Sequence, residues 1–461
     1  MSLTQKLADI IAGTSFEDIP DEAVEIARQV LLDAIGTTVA GVNEPLGLGR
    51  ITLEYTQLMS GGTGDASVIG GGFKTSMLNA AYANGVLCHA LDYDNTWWPR
   101  NHPASPTIPA ILATAERNKL PGTDVLLAIV LAFEVQGRIR VASAGMNTGG
   151  TFHHPSVSGT MGSTTGVGKL LKLDADQFRM AYGIAGSRCS SLTANHGTMT
   201  KPSHSGHGAR MGLEAAHLAN LGFTGAEDIF GEGNYFSTFY DGIENCEPEV
   251  LITGFGDPYL MVDPGVSFKR YPAKYSTHRT IEGATDLAKE HDLKAEDIAA
   301  VEVDYPPTKL VDRPSPRSGL EGKFSLQYAA CIGLLDRQCT IQSFTNERRF
   351  ADDMETLLPK VKLNETESIP GDFPDSWVVV RVRTTGGRVL EHKCAKLRGM
   401  QGVPLPREER LEKFYGCVMP PLTKAQADKV VALVDDMANL KDITPLMDIL
   451  ITPAALAEAA E

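Results

Sequence analysis

From residue 20 to residue 221 the chain repeats one pattern, apolar residues at three- and four-residue spacing separated by polar ones and thick with Ala, Gly, Ser and Thr. The stretch PDEAVEIARQVLLDAIGTTVAG (20–41) opens on proline and acids and closes on glycine, the start and stop signals of an amphipathic helix. Residues 76–94, 105–118, 121–143, 156–172, 174–191 and 205–221 follow the same grammar. A period near 3.6 collects the apolar side chains on one stripe, and such stripes bury themselves by packing helix on helix. The small residues allow the helix axes to come close. This half of the chain is therefore expected to be all-helical.

After about residue 268 the texture changes. IAAVEVDYP (298–306) alternates as a strand does, and WVVVRVRTTGGRVLEHKCA (377–395) reads as a hairpin turning at Gly386-Gly387. Between them, 319–337 is helical, and a final helix over 422–438 returns to the early style. A chain of 461 residues exceeds the size at which single cores stop growing. The expected architecture is mostly α, with a large helical domain (1–268), a smaller α+β domain (269–404) and a C-terminal segment (405–461) completing the first.

The longest apolar run, Val125 to Phe133, is stopped by Glu134 and falls short of the ~18 residues of a membrane span. Seven scattered cysteines without a C-x-x-C pair point to reduced thiols, and a cytoplasmic location is the expectation. A net charge of −15 argues against nucleic acid and anionic membranes as partners. The charge is unevenly spread. Residues 135–173, 177–213 and 264–281 contain no acid, and eight of the eleven histidines lie between 89 and 217. Basic, acid-free islands in an acidic protein fit the binding of a small polyanion, because burial alone would exclude Lys and Arg as well.

Several motifs fail on inspection. The Gly-rich stretch 61–72 does not sit between a strand and a helix as a phosphate cradle must. STTGVGKLL (163–171) has Ser163 where a P-loop needs glycine and Leu170 where it needs a magnesium-binding hydroxyl. His204 and His207 have metal-ligand spacing but no further ligand nearby, so no metal is expected. Ser158, Ser203 and Ser205 lack a G-x-S-x-G elbow.

What remains is a set of polar segments. HALDYDNTWWPRNHPASP (89–106) crowds titratable groups and two of the three tryptophans into a proline-rich turn. With it go TFHHPSVSGT (151–160), GTMTKPSHSGHGARMG (197–212), SFKRYPAKYSTHRT (267–280) and GKFSLQYAAC (322–331). In this order, over nearly the whole chain, they resemble the MmgE/PrpD superfamily, which includes 2-methylcitrate dehydratase, cis-aconitate decarboxylase and iminodisuccinate epimerase. The motifs are most similar to the decarboxylase branch. The resemblance implies a helical domain with an inserted α+β lid, a homodimer and no cofactor.

Carried over by motif, the resemblance implies a site of Asp92, Thr96, His102, His153, Lys201, His278 and Tyr328, with Asn95 and His207 departing from the usual pattern. Reactions of this family build negative charge beside a carboxylate, which calls for cationic donors and an acid–base group at carbon. Lys201, Lys269 and Arg270, with His204, are the expected carboxylate-binding groups. His102 and His153 are the proton-transfer candidates, and His278 is a third or a carboxylate donor. Asp92 would orient a histidine or Lys201, while Thr96 and Tyr328 would donate hydroxyl bonds. Trp97 and Trp98 are expected to pack the turn. Asp94 reads as a cap or turn residue, His89 and His217 as satisfied helix histidines, and His154 and His196 as supporting groups. The expected activity is decarboxylation of cis-aconitate or a close analogue. Dehydration of 2-methylcitrate-like acids and epimerisation of iminodisuccinate-like acids are the alternatives, and a non-catalytic binding protein would not need this full set.

Overall fold

A computed structural model describes residues 1–60, 64–97, 101–143, 151–231, 233–240, 242–308 and 311–454. The chain is mostly α, with few strands, and separates into two compact units. The larger comprises Met1–Ala90, Asp94–Phe268 and Arg407–Glu461, the smaller Leu91–Tyr93 and Lys269–Pro406. Among the described residues no helix is long and apolar enough to cross a membrane.

The larger unit contains α1 (Leu3–Gly13), α2 (Asp21–Gly41), α3 (Leu48–Met59), α4 (Met77–His89), α5 (Ala104–Asn118), α6 (Gly122–Ala142), α7 (His154–Leu170), α8 (Ala175–Gly186) and α9 (Thr200–Asn220). A two-stranded ribbon, β1 (Ala66–Ser67) with β2 (Lys74–Thr75), precedes α4. The helix starts follow side-chain chemistry. Ser2 and Ser76 accept from the amides of Gln5 and Asn79, and Asp174 forms a reciprocal capping box with Gln177. α7 packs closely against α5, α6 and α9, and α4 against α5 and α9. Glycine makes the α4–α9 approach possible. A Cβ on Gly85 would lie 2.8 Å from the Gly206 Cα, and one on Gly206 would lie 2.5 Å from the Tyr82 carbonyl oxygen. Hydroxyls add cross-links, with Ser105 and Ser205 Oγ atoms 3.0 Å apart and Ser163 donating to the Pro106 carbonyl at 2.5 Å.

The helices Arg407–Val418 and Lys424–Asp435 lie against α2. Gly36 of α2 leaves room for the Phe414 ring, which a Cβ would approach to 3.2 Å. Nearby, Lys413 Nζ stands 2.6 Å from Asp33 Oδ1, and both side chains are buried.

In the smaller unit β3 (Ile298–Tyr305), β4 (Val361–Glu365), β5 (Val378–Thr384) and β6 (Val389–Cys394) form a sheet in the order β4-β3-β5-β6. β3 and β4 are parallel and the other pairs antiparallel. Gly387, at φ 84°, makes the β5–β6 turn, as the sequence suggests. Ile298, Val301 and Val303 of β3 and Val378, Val380 and Val382 of β5 enter one core with residues of the helices His278–Glu290 and Leu326–Asp336. The single helix expected over 319–337 is two, because Ser325 accepts from the Tyr328 amide and starts the second. The helix expected over 76–94 stops at His89, because the following turn carries Asp92 into the left-handed region at φ 52°.

Candidate active site

Four helix ends meet in the larger unit. His89 is the last residue of α4, His102 lies just before α5, His153 is the N-cap residue of α7, and Lys201 and His204 occupy the first turns of α9. Ring-centre distances tie them together, with His89–His102 at 4.4 Å, His89–His153 at 6.0 Å, His153–His204 at 5.1 Å and His153–His196 at 4.7 Å. Three helix N-termini thus face one cluster. Their positive dipole ends favour an anion.

The turn between α4 and α5 is pinned by its own polar groups. Thr96 exchanges backbone hydrogen bonds with Ser267 at 2.9 and 2.7 Å, and its Oγ1 donates to the Asn101 carbonyl at 2.6 Å. Asn101 Nδ2 in turn donates to Gln136 at 3.3 Å. Trp97 stacks edge-on against Phe133 and fills the space left by Gly137, whose Cβ would sit 2.5 Å from the indole. Trp97 is therefore a packing residue, whereas Trp98, Pro99 and Arg100 lie outside the described residues.

Asp94 neither caps nor merely turns. Its fully buried carboxylate accepts from His89 Nδ1 at 2.8 Å through Oδ1, and Oδ2 lies 3.3 Å from His102 Nδ1. Burial pushes the carboxyl upward, yet His89 and His102 outweigh it and hold Asp94 well below the usual carboxylate range. Burial, with Lys201 and His102, pushes His89 down to about 3 against the opposing pull of Asp94. His89 and Asp94 are the functional candidates that the sequence pattern missed. The available signal was a histidine at the end of an apolar helix, five residues before an acid in a crowded turn. Asn95, next in line, is buried with both amide atoms unpartnered. An aspartate there would add another buried carboxylate beside Asp94 and Asp33, whose own carboxyl is raised by burial and faces Asp94.

His153 is held by its amide, which donates to Ser191 O at 2.9 Å, and its Nδ1 is 3.0 Å from His204 Nδ1. One of these nitrogens donates and the other accepts, which requires at least one neutral ring. Burial and the positive charge of Lys201 push His153 well below the ordinary histidine range and His204 down to about 4. The Lys201 side chain is itself buried, on the first turn of α9. The result sets the neutral imidazoles of His89, His153 and His204 near one ammonium and one carboxylate. It can shuttle protons and attract an anion.

The remaining expected residues belong to the smaller unit. Lys269 donates to the Asp92 carbonyl at 2.7 Å and to Asp92 Oδ1 at 2.5 Å, and Arg270 pairs with Glu282 at 3.1 Å. His278 Nε2 donates to the Ala273 carbonyl at 3.2 Å, with its ring edge-on to Tyr271 and Tyr275. Tyr328 is fully buried in the core of that unit and donates its hydroxyl to Ser343 O at 2.7 Å. His102, His153, Lys201 and His204 are thus brought together. Thr96 spends its hydroxyl within the turn, and Tyr328 spends its own on a backbone carbonyl. His89, Asp94 and His102 also offer metal-ligand atoms within 4.8 Å of one another. Their atoms face one another in pairs, and the Lys201 charge, felt at His89, opposes a cation.

Comparison with known proteins matches the MmgE/PrpD N-terminal domain over residues 5–248 and the MmgE/PrpD C-terminal domain over 271–437. The cis-aconitate decarboxylase of Mus musculus is 30% identical, covering 100% of this chain and 96% of that protein. Its Homo sapiens counterpart is also 30% identical, covering 98% of this chain and 95% of that one. The 2-methylcitrate dehydratase of Cupriavidus necator is 25% identical over 95% of this chain and 94% of its own.

Proposed function

The chain belongs to the MmgE/PrpD family and is an enzyme of that type, and from this premise we propose that it is a lyase decarboxylating cis-aconitate or a close analogue. The observation that carries the reading is the Lys201 ammonium set among neutral histidines where three helix N-termini meet. Full-length similarity to proteins named cis-aconitate decarboxylase supports the choice of substrate.

Loss of CO2 leaves the electron pair of the broken carbon–carbon bond on the skeleton, spread onto a neighbouring carboxylate as an enolate-like anion. Lys201 and the helix N-termini stabilise that charge, and an imidazolium delivers a proton to carbon. His102 and His153 are the donors in this reading. Burial and Lys201 keep His153 and His204 neutral. A polycarboxylate brings the negative charge that lets a ring take up the proton it later gives away. The homodimer implied by the family belongs to the same proposal, and a single-chain mass by light scattering would remove it.

The test is proton NMR of the purified protein with cis-aconitate, 2-methylcitrate and iminodisuccinate in separate samples. Itaconate with CO2 release is expected from the first. Water loss from the second, or racemisation of the third, would transfer the enzyme to a sister activity. Silence with all three would overturn the substrate assignment.

A further inference from the structure

We propose that Asp94 and His89 form a positioning pair for His102, with Asp94 fixing the tautomer of that ring and His89 fixing Asp94. The inference rests on His102 being a proton-transfer group, as proposed above. An ionised carboxylate has no proton to give, so the hydrogen in the His89 bond belongs to His89 Nδ1, and Asp94 Oδ2, 3.3 Å from His102 Nδ1 but outside hydrogen-bond geometry, is the acceptor that ring meets on the same side. In neutral His89 the lone pair then sits on Nε2, and an Nδ1–H directed at Asp94 would place it there in His102 as well. The His102 side chain keeps 16% of its exposure while His89 and Asp94 have none, so of the three it is the one a reactant can reach.

His89 has two effects on this arrangement. Its Nδ1–H occupies Asp94 Oδ1 at 2.8 Å, which leaves Oδ2 for His102. Its ring, at 68° to that of His102, also stands against the imidazole edge-on. Among the described residues the buried His89 Nε2 has no hydrogen-bond partner, a cost that a purely structural helix histidine would be expected to avoid. Behind Asp94 lies a second carboxylate with its own partner. Asp33 faces Asp94 with like charge and lies against the Asn95 backbone amide, while Lys413 neutralises Asp33 from 2.6 Å. Lys413 thus offsets the charge with which Asp33 opposes Asp94, while His89 and His102 are what favour the ionised form of Asp94.

Asp94→Asn tests the pair, because an amide can donate to Nδ1 and so reverses the His102 tautomer. Turnover should fall by ~10²–10⁴-fold with KM changed only a few-fold, as for triads whose orienting acid is amidated. The limb of the kcat–pH profile belonging to His102 should move. His89→Asn keeps a donor near the Nδ1 position and should retain more activity than His89→Gln, which places its amide near Nε2. The reverse order would mean that His89 touches the reactant, and would overturn the positioning role. Nitrogen-15 NMR of the imidazoles reads the tautomer without turnover, and so separates failure here from failure of the substrate assignment. The Nδ1–H form at His102 in the wild type and the Nε2–H form in Asp94→Asn are expected. An unchanged tautomer, or an Asp94→Asn variant that only melts earlier with normal kcat and pH profile, would overturn the proposal.

Discussion

Lys413 and Asp33 form a buried ion pair with 2.6 Å between Nζ and Oδ1, one partner on α2 and the other on the helix Arg407–Val418. Among the described residues the second carboxylate oxygen of Asp33 has no hydrogen-bond partner, so the pair leans on the ammonium. Burial already pushes the Asp33 carboxyl up, and Lys413 is the largest opposing influence. Lys413→Met leaves an uncompensated buried acid. It should destabilise the protein by about 3–5 kcal/mol. The double variant Asp33→Asn with Lys413→Met should recover most of that loss in urea unfolding, and a double variant no better than the single would refute the pairing.

Stability should also fall on mild acidification. His89 is pushed down to about 3, His204 to about 4 and His153 well below its ordinary range, whereas in an unfolded chain each titrates near 6.5. Between the folded and unfolded values the unfolded chain binds more protons, so stability is full above about pH 6.5 and drains away as pH drops. For His89 alone the slope approaches about 1.4 kcal/mol per pH unit in that window. Asp94, held low in the folded state, adds its own loss only below the ordinary carboxylate range. Urea midpoints at pH 7.5 and 5.5 should differ in that direction, and equal midpoints would contradict neutral buried imidazoles.

Lys201→Met removes the charge that depresses His153 and His204. Both histidines should titrate higher, which NMR of the imidazole protons would show. If Lys201 also receives a substrate carboxylate, kcat/KM should fall by on the order of 10²-fold, the scale of losing one charged transition-state contact. Raised histidine values with unchanged kcat/KM would separate the electrostatic role from the binding role.

Gly206→Ala would bring a methyl within 2.5 Å of the Tyr82 carbonyl oxygen, a backbone atom that cannot swing aside. The expected cost is about 1–3 kcal/mol of overpacking. Because α9 also carries Lys201 and His204, relief by sliding that helix should lower kcat beyond what the stability loss explains. Calorimetry with turnover below the melting range would check both effects, and a variant of normal Tm and kcat would show that the helices have slack.

Most of the fold was legible because helical periodicity, caps and strand alternation are local signals. The β5–β6 hairpin and the change of texture near residue 268 could be read from runs of a few residues. The break at Ser325 could not, since a serine inside an apolar pattern becomes a helix start only when its hydroxyl finds an amide. In the site, His102, His153, Lys201 and His204 stood out by motif. His89 and Asp94 did not, although they lie in the same crowded turn. A histidine ending a helix and an acid in the next turn each have an ordinary local explanation, and only their meeting at 2.8 Å gives them another. Asp33 is less visible still, being one acid on the polar side of an early helix whose partner arrives from Lys413.

That late partner has a bearing on how the protein is made. α2 leaves the ribosome early, but the helix that covers Asp33 and Gly36 belongs to the third stretch of the larger unit. At about 5–20 residues per second, translation separates the two by on the order of tens of seconds. Throughout that interval the nascent chain carries an unscreened acid and an uncovered notch on α2, so the larger unit cannot close while its C-terminal helices are still being synthesised.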